Sequence, residues 1–290
     1  MTPNATQGPT PLRLGFNYEK EASTISNMRS SPRFLALPPR SSKPRISGLT
    51  HVLDKGAPPE EVRALVVRTG SAIDLWKLGW GTAYLDPDVA EKVSMLGGHA
   101  IRACVGGTLL EVAWAQGRAE ACLAWAAEVG FPCVEVSNGA VGMPLAEKRR
   151  LIGEAAARFF VLSEVGSKDP GAPVSPEAWA REMTGDLAAG ATLVLTEGRE
   201  SGTVGLYRRD GSVREDVADA VVEAIGLPRL VFEAPRKDQQ AWLINRYGND
   251  VNLGNVPLTE VIGLEALRLG LRADTCGLGM RPGTGAEVEG

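Results

Sequence analysis

The chain has 290 residues, of which 44% are hydrophobic and 23% charged, and its formal net charge is -4. This suits one large barrel or two modest domains with a substantial core, and the balanced charge without a long basic run excludes nucleic acid as the principal partner. No apolar run approaches bilayer length, no basic segment leads into an apolar leader, and the four cysteines lack C-x-x-C spacing, so membrane, zinc-site and disulfide-framework classes are set aside and a cytoplasmic location is expected.

Residues 1–40, rich in Pro, Ser, Asn and Arg without an apolar period, read as a flexible N-terminal arm. Residues 276–290, Gly-rich and acidic, read as a flexible C-terminal tail. Between them, residues 41–275 repeat one pattern: a short apolar segment, a polar or Gly-containing loop, then an amphipathic segment. The apolar segments fall at 49–53, 72–78, 100–105, 133–136, 159–162, 192–195, 230–232 and 250–253. Their number and spacing predict a single (β/α)8 TIM-type barrel; a doubly wound open sheet is the alternative, because closure cannot be seen in sequence. A helix is predicted over 119–129 and stopped by Gly130, and another is opened by Ser175-Pro176 and closed by Gly190. Val261, Ile262, Leu264, Leu267 and Leu271 recur near helical period and predict a last helix packed on the barrel.

In such a barrel, chemistry belongs just after each strand. Those positions read Asp54-Lys55-Gly56, Lys77 to Thr82, Gly106-Gly107-Thr108, Ser137-Asn138-Gly139, Glu164 to Asp169, Glu197 to Gly202, Glu233 to Gln240 and Asn252 to Asn255. One rim is therefore expected to gather carboxylates, ammonium groups and glycines. His51 and His99 have no partner at diagnostic spacing and are expected to be satisfied histidines.

From about Pro38 to Thr275 the chain resembles the phosphosulfolactate synthase family, on Leu53-Asp54-Lys55-Gly56, Lys77-Leu78-Gly79-Trp80-Gly81-Thr82, Glu197-Gly198-Arg199-Glu200-Ser201-Gly202, the run from Glu233-Ala234-Pro235 to Gln240, Asn252-Leu253-Gly254-Asn255 and Leu267 to Arg272. The resemblance implies a barrel enzyme that uses Mg2+ to add sulfite to C3 of phosphoenolpyruvate, giving 2-phospho-3-sulfolactate through an enolate-like aci-carboxylate. The implied partners are small anions and further copies of the chain. The order of motifs agrees with the family, but Cys104-Val105 stands where many members carry Tyr-Pro, and Asn138 where the archaeal branch has aspartate; both bear on the choice of nucleophile. A same-family barrel adding a thiol, thiocarboxylate or amine to phosphoenolpyruvate is the second reading. A non-catalytic stress-associated relative of the same fold is the third, disfavoured by the retained strand-end carboxylates.

Glu164, Glu197 and Glu233 end three successive strands, similar to the metal-ligand carboxylates of enolase-type barrels, and two or all three of them are the expected Mg2+ ligands, magnesium taking oxygen donors. The expected catalytic set is Lys168 as proton donor, its pKa lowered by neighbouring cations, and Lys77 as electrostatic clamp, with Asp54 and Lys55 beside them. Three phosphate cradles are open: Asn252, Gly254 and Asn255; Arg199 with Ser201 and Gly202; and Gly106, Gly107 and Thr108. Gln240 and Arg272 complete the expected anion contacts.

Overall fold

In a computed structural model, residues 34–278 are described. The strands are β1 (Thr50–Asp54), β2 (Leu75–Leu78), β3 (Arg102–Val105), β4 (Cys133–Val136), β5 (Phe160–Val165), β6 (Leu193–Thr196), β7 (Leu230–Glu233) and β8 (Leu253–Pro257). Each pairs in parallel with the next, and β8 returns to β1, so the sheet closes in sequence order. Closure decides between the two architectures predicted above: the fold is a TIM barrel. Its helices are α1 (Pro59–Thr69), α2 (Thr82–Leu85), α3 (Val89–Gly98), α4 (Gly107–Ala115), α5 (Ala119–Val129), α6 (Leu145–Ala156), α7 (Pro176–Ala189), α8 (Glu215–Ile225), α9 (Lys237–Tyr247) and α10 (Val261–Arg268). None of the described helices is long and apolar enough to cross a membrane.

Local chemistry accounts for the boundaries. Ser175 Oγ accepts the Ala178 amide at 3.2 Å to open α7, with Pro176 as its first residue. Gly130 and Gly190 close α5 and α7 in the left-handed conformation that only glycine adopts cheaply. In α10 the buried residues are Val261, Leu264, Leu267 and Arg268, whereas Ile262 and, beyond the helix end, Leu271 are half exposed, so the apolar stripe is narrower than the sequence period suggested.

Alternation along each strand divides the core. Leu49, Leu75, Cys104, Cys133, Leu162, Leu193, Leu195 and Val231 fill the barrel interior, while Val52, Trp76, Leu78, Val134 and Phe232 face the helices. Because Leu53 pairs with Lys77, and Glu164 with Leu195, the residues two positions beyond the interior plug also point inward, toward the C-terminal mouth.

Two predicted boundaries are corrected. The last strand was expected over 250–253 but begins at Leu253 and continues through Gly254 and Asn255, because Gly254 lets β8 pass close to the His51 ring, where a Cβ would stand 3.0 Å from Nδ1. The arm was expected to reach residue 40. Instead the barrel unit begins at Leu37, and Arg40 joins it through Glu265, with N–O distances of 2.9 and 3.0 Å. The rest of the expected arm, residues 1–33, and of the expected tail, 279–290, lie outside the described residues.

Candidate active site

A cavity of about 560 Å³ opens at the C-terminal mouth of the barrel, lined by residues that include Lys77, Glu135, Glu164, Lys168, Glu197 and Glu233. Glu135 lies on β4, Glu164 on β5 and Glu233 at the end of β7, while Glu197 directly follows β6. All four are buried.

Two ammonium groups organise this floor. Lys77 Nζ lies 2.9 Å from Glu233, 3.1 Å from Glu135 and 3.9 Å from Glu164. Lys168 Nζ lies 2.5 Å from Glu164, 3.1 Å from Glu197 and 3.6 Å from Glu111. Glu164 therefore stands between the two lysines. The Gly107 amide donates to Glu135 at 2.8 Å, and the Gly198 amide to Glu233 at 2.9 Å.

Carboxylates outnumber cations here, and protonation follows. Burial pushes Glu233 up to about 7, and it also raises Glu135 and, well above its usual range, Glu197, whose neighbour Glu164 adds repulsion. Burial acts against Glu164 too, yet Lys168 and Lys77 outweigh it and hold its carboxyl below the usual range. For both lysines burial alone would favour the neutral amine, but the surrounding carboxylates prevail and shift each upward. The lowered lysine pKa expected from sequence is thus corrected: among the described residues the groups set against the Lys168 ammonium are the carboxylates of Glu164, Glu197 and Glu111, and they outweigh burial.

The expected metal ligands need a similar adjustment. One oxygen from each of Glu135, Glu164 and Glu233 lies within 4.8 Å of the others, so Glu135 takes the third place in this trio, while Glu197 neighbours Glu164 on the Lys168 side. Hard oxygen donors in excess of cations suit a divalent ion such as Mg2+. Glu197 Oε2, outside that trio, is buried without a hydrogen-bond partner and lies 3.1 Å from the Lys168 ammonium. Glu135 announced itself in sequence only as a lone charge in the strand Cys133-Val134-Glu135-Val136, two residues from an interior position.

The remaining expected residues divide. Gly106, Gly107, Thr108, Arg199 and Asn255 line the cavity. Arg199 and Asn255 hold positive φ values of 52° and 53°, as does Trp80 at 55°, so three strained non-glycine residues face one space. Asn255 Oδ1 is buried and unpartnered. The rest lie outside the lining. Asp54 points to the helices, accepting from the amides of Gly56 and Ala57, Trp76 Nε1 and Lys92 Nζ at 2.7 to 3.0 Å. Lys55 rests 4.9 Å from the centroid of the exposed Trp80 ring. Asn252 precedes β8, at the opposite end of the barrel, where it accepts from the Leu49 amide and donates to the carbonyls of Leu227 and Leu230. Gly254 packs on His51 and Gly202 on Gln239. Ser201 pairs with Thr203, Gln240 caps onto the Ala234 carbonyl, and Arg272 lies near Asp274 outside the cavity. His51 is buried with both ring nitrogens unpartnered, contrary to the satisfied histidine expected, and burial holds it neutral.

A closed parallel barrel with charged groups converging at the C-terminal ends of its strands defines a TIM-barrel enzyme. A model of the (2R)-phospho-3-sulfolactate synthase (ComA) family matches residues 38–274. Curated relatives agree. Phosphosulfolactate synthase of Methanothermobacter thermautotrophicus is 43% identical over 83% of this chain and 95% of its own length, and that of Bacillus subtilis 40% identical over 83% and 97%. The enzyme of the same name from Methanocaldococcus jannaschii is 41% identical over 79% of this chain and 94% of its own. The chain belongs to the phosphosulfolactate synthase family. Among solved structures, a phosphonopyruvate hydrolase complexed with oxalate and Mg++ matches with TM-score 0.50 at 13% identity, covering 76% of this chain and 79% of that one, which bears on the fold alone.

Proposed function

We propose that the protein adds sulfite to C3 of phosphoenolpyruvate, with Mg2+ held by Glu135, Glu164 and Glu233, to give 2-phospho-3-sulfolactate. The observation that carries the reading is the placement of Lys77, Lys168 and these converging carboxylates on the floor of one cavity, in a chain of this family. Charge argues for the metal. Were all of them ionised, Glu135, Glu164, Asp169, Glu197, Glu200 and Glu233 would exceed Lys77, Lys168 and Arg199 in the lining and repel two anionic substrates; protonation of the buried glutamates relieves that excess, and a divalent ion would take the place of those protons. When bound, a divalent ion offsets that excess and stabilises charge on the substrate carboxylate.

The chain's own residues supply the rest. Arg199, at the rim and 42% exposed, holds only long contacts, 3.9 Å to Glu200 and 3.4 Å to the Lys168 carbonyl, and exchanges them for the phosphate, while the loop Gly106 to Thr108 brings backbone close to the cavity. Asn255, which lines the cavity, orients the ester by donating from its amide nitrogen. The sulfite lone pair forms the C3–S bond, the C2–C3 π pair moves toward C2 and the carboxylate, and C2 then takes one proton. Lys168, on the loop after β5 and more exposed than Lys77, donates that proton and is reprotonated from water; Lys77 stays behind as a fixed positive charge. The four free cysteines agree with a reducing, cytoplasmic setting.

The test is direct. Purified protein with phosphoenolpyruvate, Mg2+ and sulfite gives a new phosphorus-31 resonance that depends on all three. A product with a thiol or amine and none with sulfite would replace the nucleophile and keep the acceptor.

A further inference from the structure

Glu111 is a wholly buried carboxylate on α4, outside the cavity lining. Its Oε2 accepts the amides of Ala140 and Val141 at 2.7 and 3.0 Å, tying down the loop after β4. Its Oε1 accepts the Ser137 hydroxyl at 2.5 Å and lies 3.6 Å from Lys168 Nζ. The two loops are also joined directly, since the Lys168 amide donates to the Gly139 carbonyl at 3.2 Å. Glycine is needed twice for this arrangement. A Cβ at Gly139 would meet Gly166 O at 2.7 Å and Lys168 Nζ at 3.3 Å, and one at Gly107 would collide with Ser137 and approach Glu135 Oε1 to 3.1 Å. A helix, the β4 loop and the lysine of the β5 loop therefore meet at one carboxylate.

We infer that Glu111 is a positioning residue that sets where Lys168 presents its ammonium to the cavity, while its second oxygen holds the Gly139 to Val141 wall in place. A carboxylate with a purely structural task would need only the loop amides. Here one oxygen serves those amides and the other is turned toward Ser137 and Lys168. Glu164 and Glu197 pull the ammonium toward the cavity floor, and Glu111 draws it back toward α4, so three carboxylates fix its place.

The inference rests on the proposed role of Lys168 as proton donor, and the test separates the two. Glu111→Gln keeps shape and an oxygen for the loop amides but removes the charge facing Lys168. Turnover number is expected to fall by about 10- to 100-fold, with KM for phosphoenolpyruvate changed less than about threefold, because only an interaction of the reacting state is lost. The solvent deuterium isotope effect on kcat is expected to rise as proton delivery becomes limiting. Acetic anhydride labelling of Lys168, followed by mass spectrometry, is expected to quicken several-fold, because the ammonium is held less firmly. Unchanged kcat, isotope effect and labelling would overturn the inference, as would a rise in KM alone. If the wild-type protein forms no product, the proposed function fails, and the labelling rate by itself then decides for or against Glu111. Should Glu111→Gln not fold, Glu111→Asp, which keeps the charge but withdraws it by one methylene, is measured with the same signs expected.

Discussion

Two buried lysines, Lys92 and Lys77, sit on opposite sides of the same sheet and do different things. Behind it, Lys92 Nζ makes three contacts of 2.8 Å, to Asp54, Asp86 and the Ala57 carbonyl, and Asp54 fills its remaining capacity with two amides and the Trp76 indole. Three donors meet three acceptors, and the cluster is closed. Inside the barrel, Lys77 faces Glu135, Glu164 and Glu233, two of which burial pushes toward protonation, and the group opens onto the cavity. A buried ion pair is therefore no sign of a site. Unbalanced charge beside an open space is.

The largest expected effect breaks this contrast most sharply. Lys77→Met and Lys168→Ala should each lower kcat by about 10³-fold or more, the Lys77 variant staying folded because Glu135 and Glu233 are already pushed toward the neutral acid, whereas Lys92→Met should cost about 3–5 kcal/mol of stability because it strands the buried Asp54. Circular dichroism and phosphorus-31 turnover assays separate the two outcomes; retained turnover in Lys168→Ala would remove it as the proton donor. Next in size, Asp54→Asn should destabilise by about 1–3 kcal/mol, with kcat of the folded protein within about threefold of wild type. A kcat loss of about 10³-fold in a folded Asp54→Asn would return it to the catalytic set.

A pH titration of the metal-free protein sharpens the comparison further. Glu233 rises from an ordinary 4.5 to about 7 on folding, so the folded state keeps a proton that the unfolded state has already released. Stability from this group is complete below about 4.5 and is lost as pH climbs through about 7. Calorimetry should show the melting temperature falling by about 2–6 °C across that window, and millimolar Mg2+ should reverse the fall. A melting temperature indifferent to both would argue against the carboxylate excess. The smallest effects belong to Ser201→Ala and Arg272→Ala, each expected within about 0.5 kcal/mol and without kinetic consequence. A raised KM in either would bring that loop back to the substrate.

Much of the barrel was legible because strand and helix periods differ and turn residues mark their ends. Cys133 to Val136 and Ala119 to Val129 agree to the residue with β4 and α5. Where the reading failed, the cause was local. The Gly254-Asn255 pair looked like a strand end, yet glycine there serves close packing on His51, and the strand runs on; Asn252 consequently lies at the far end of the barrel. Asp54 is expected in the catalytic set and Glu135 is not singled out for a related reason: each is one charge on a short strand, and only the side it faces distinguishes a helix partner from a cavity wall.

By itself, the sequence determined the alternating architecture, the family and the gathering of charge at strand ends, because these follow from residue type and spacing along the chain. Which carboxylates share an ion pair, which lysine faces open space, and that Glu111 reaches both a neighbouring loop and Lys168, were decided by tertiary structure alone. The physical reason is that barrel closure and register bring residues far apart in sequence within 3 to 4 Å, as with Lys77 and Glu233 at 2.9 Å, and electrostatic balance is set by that distance rather than by order in the chain.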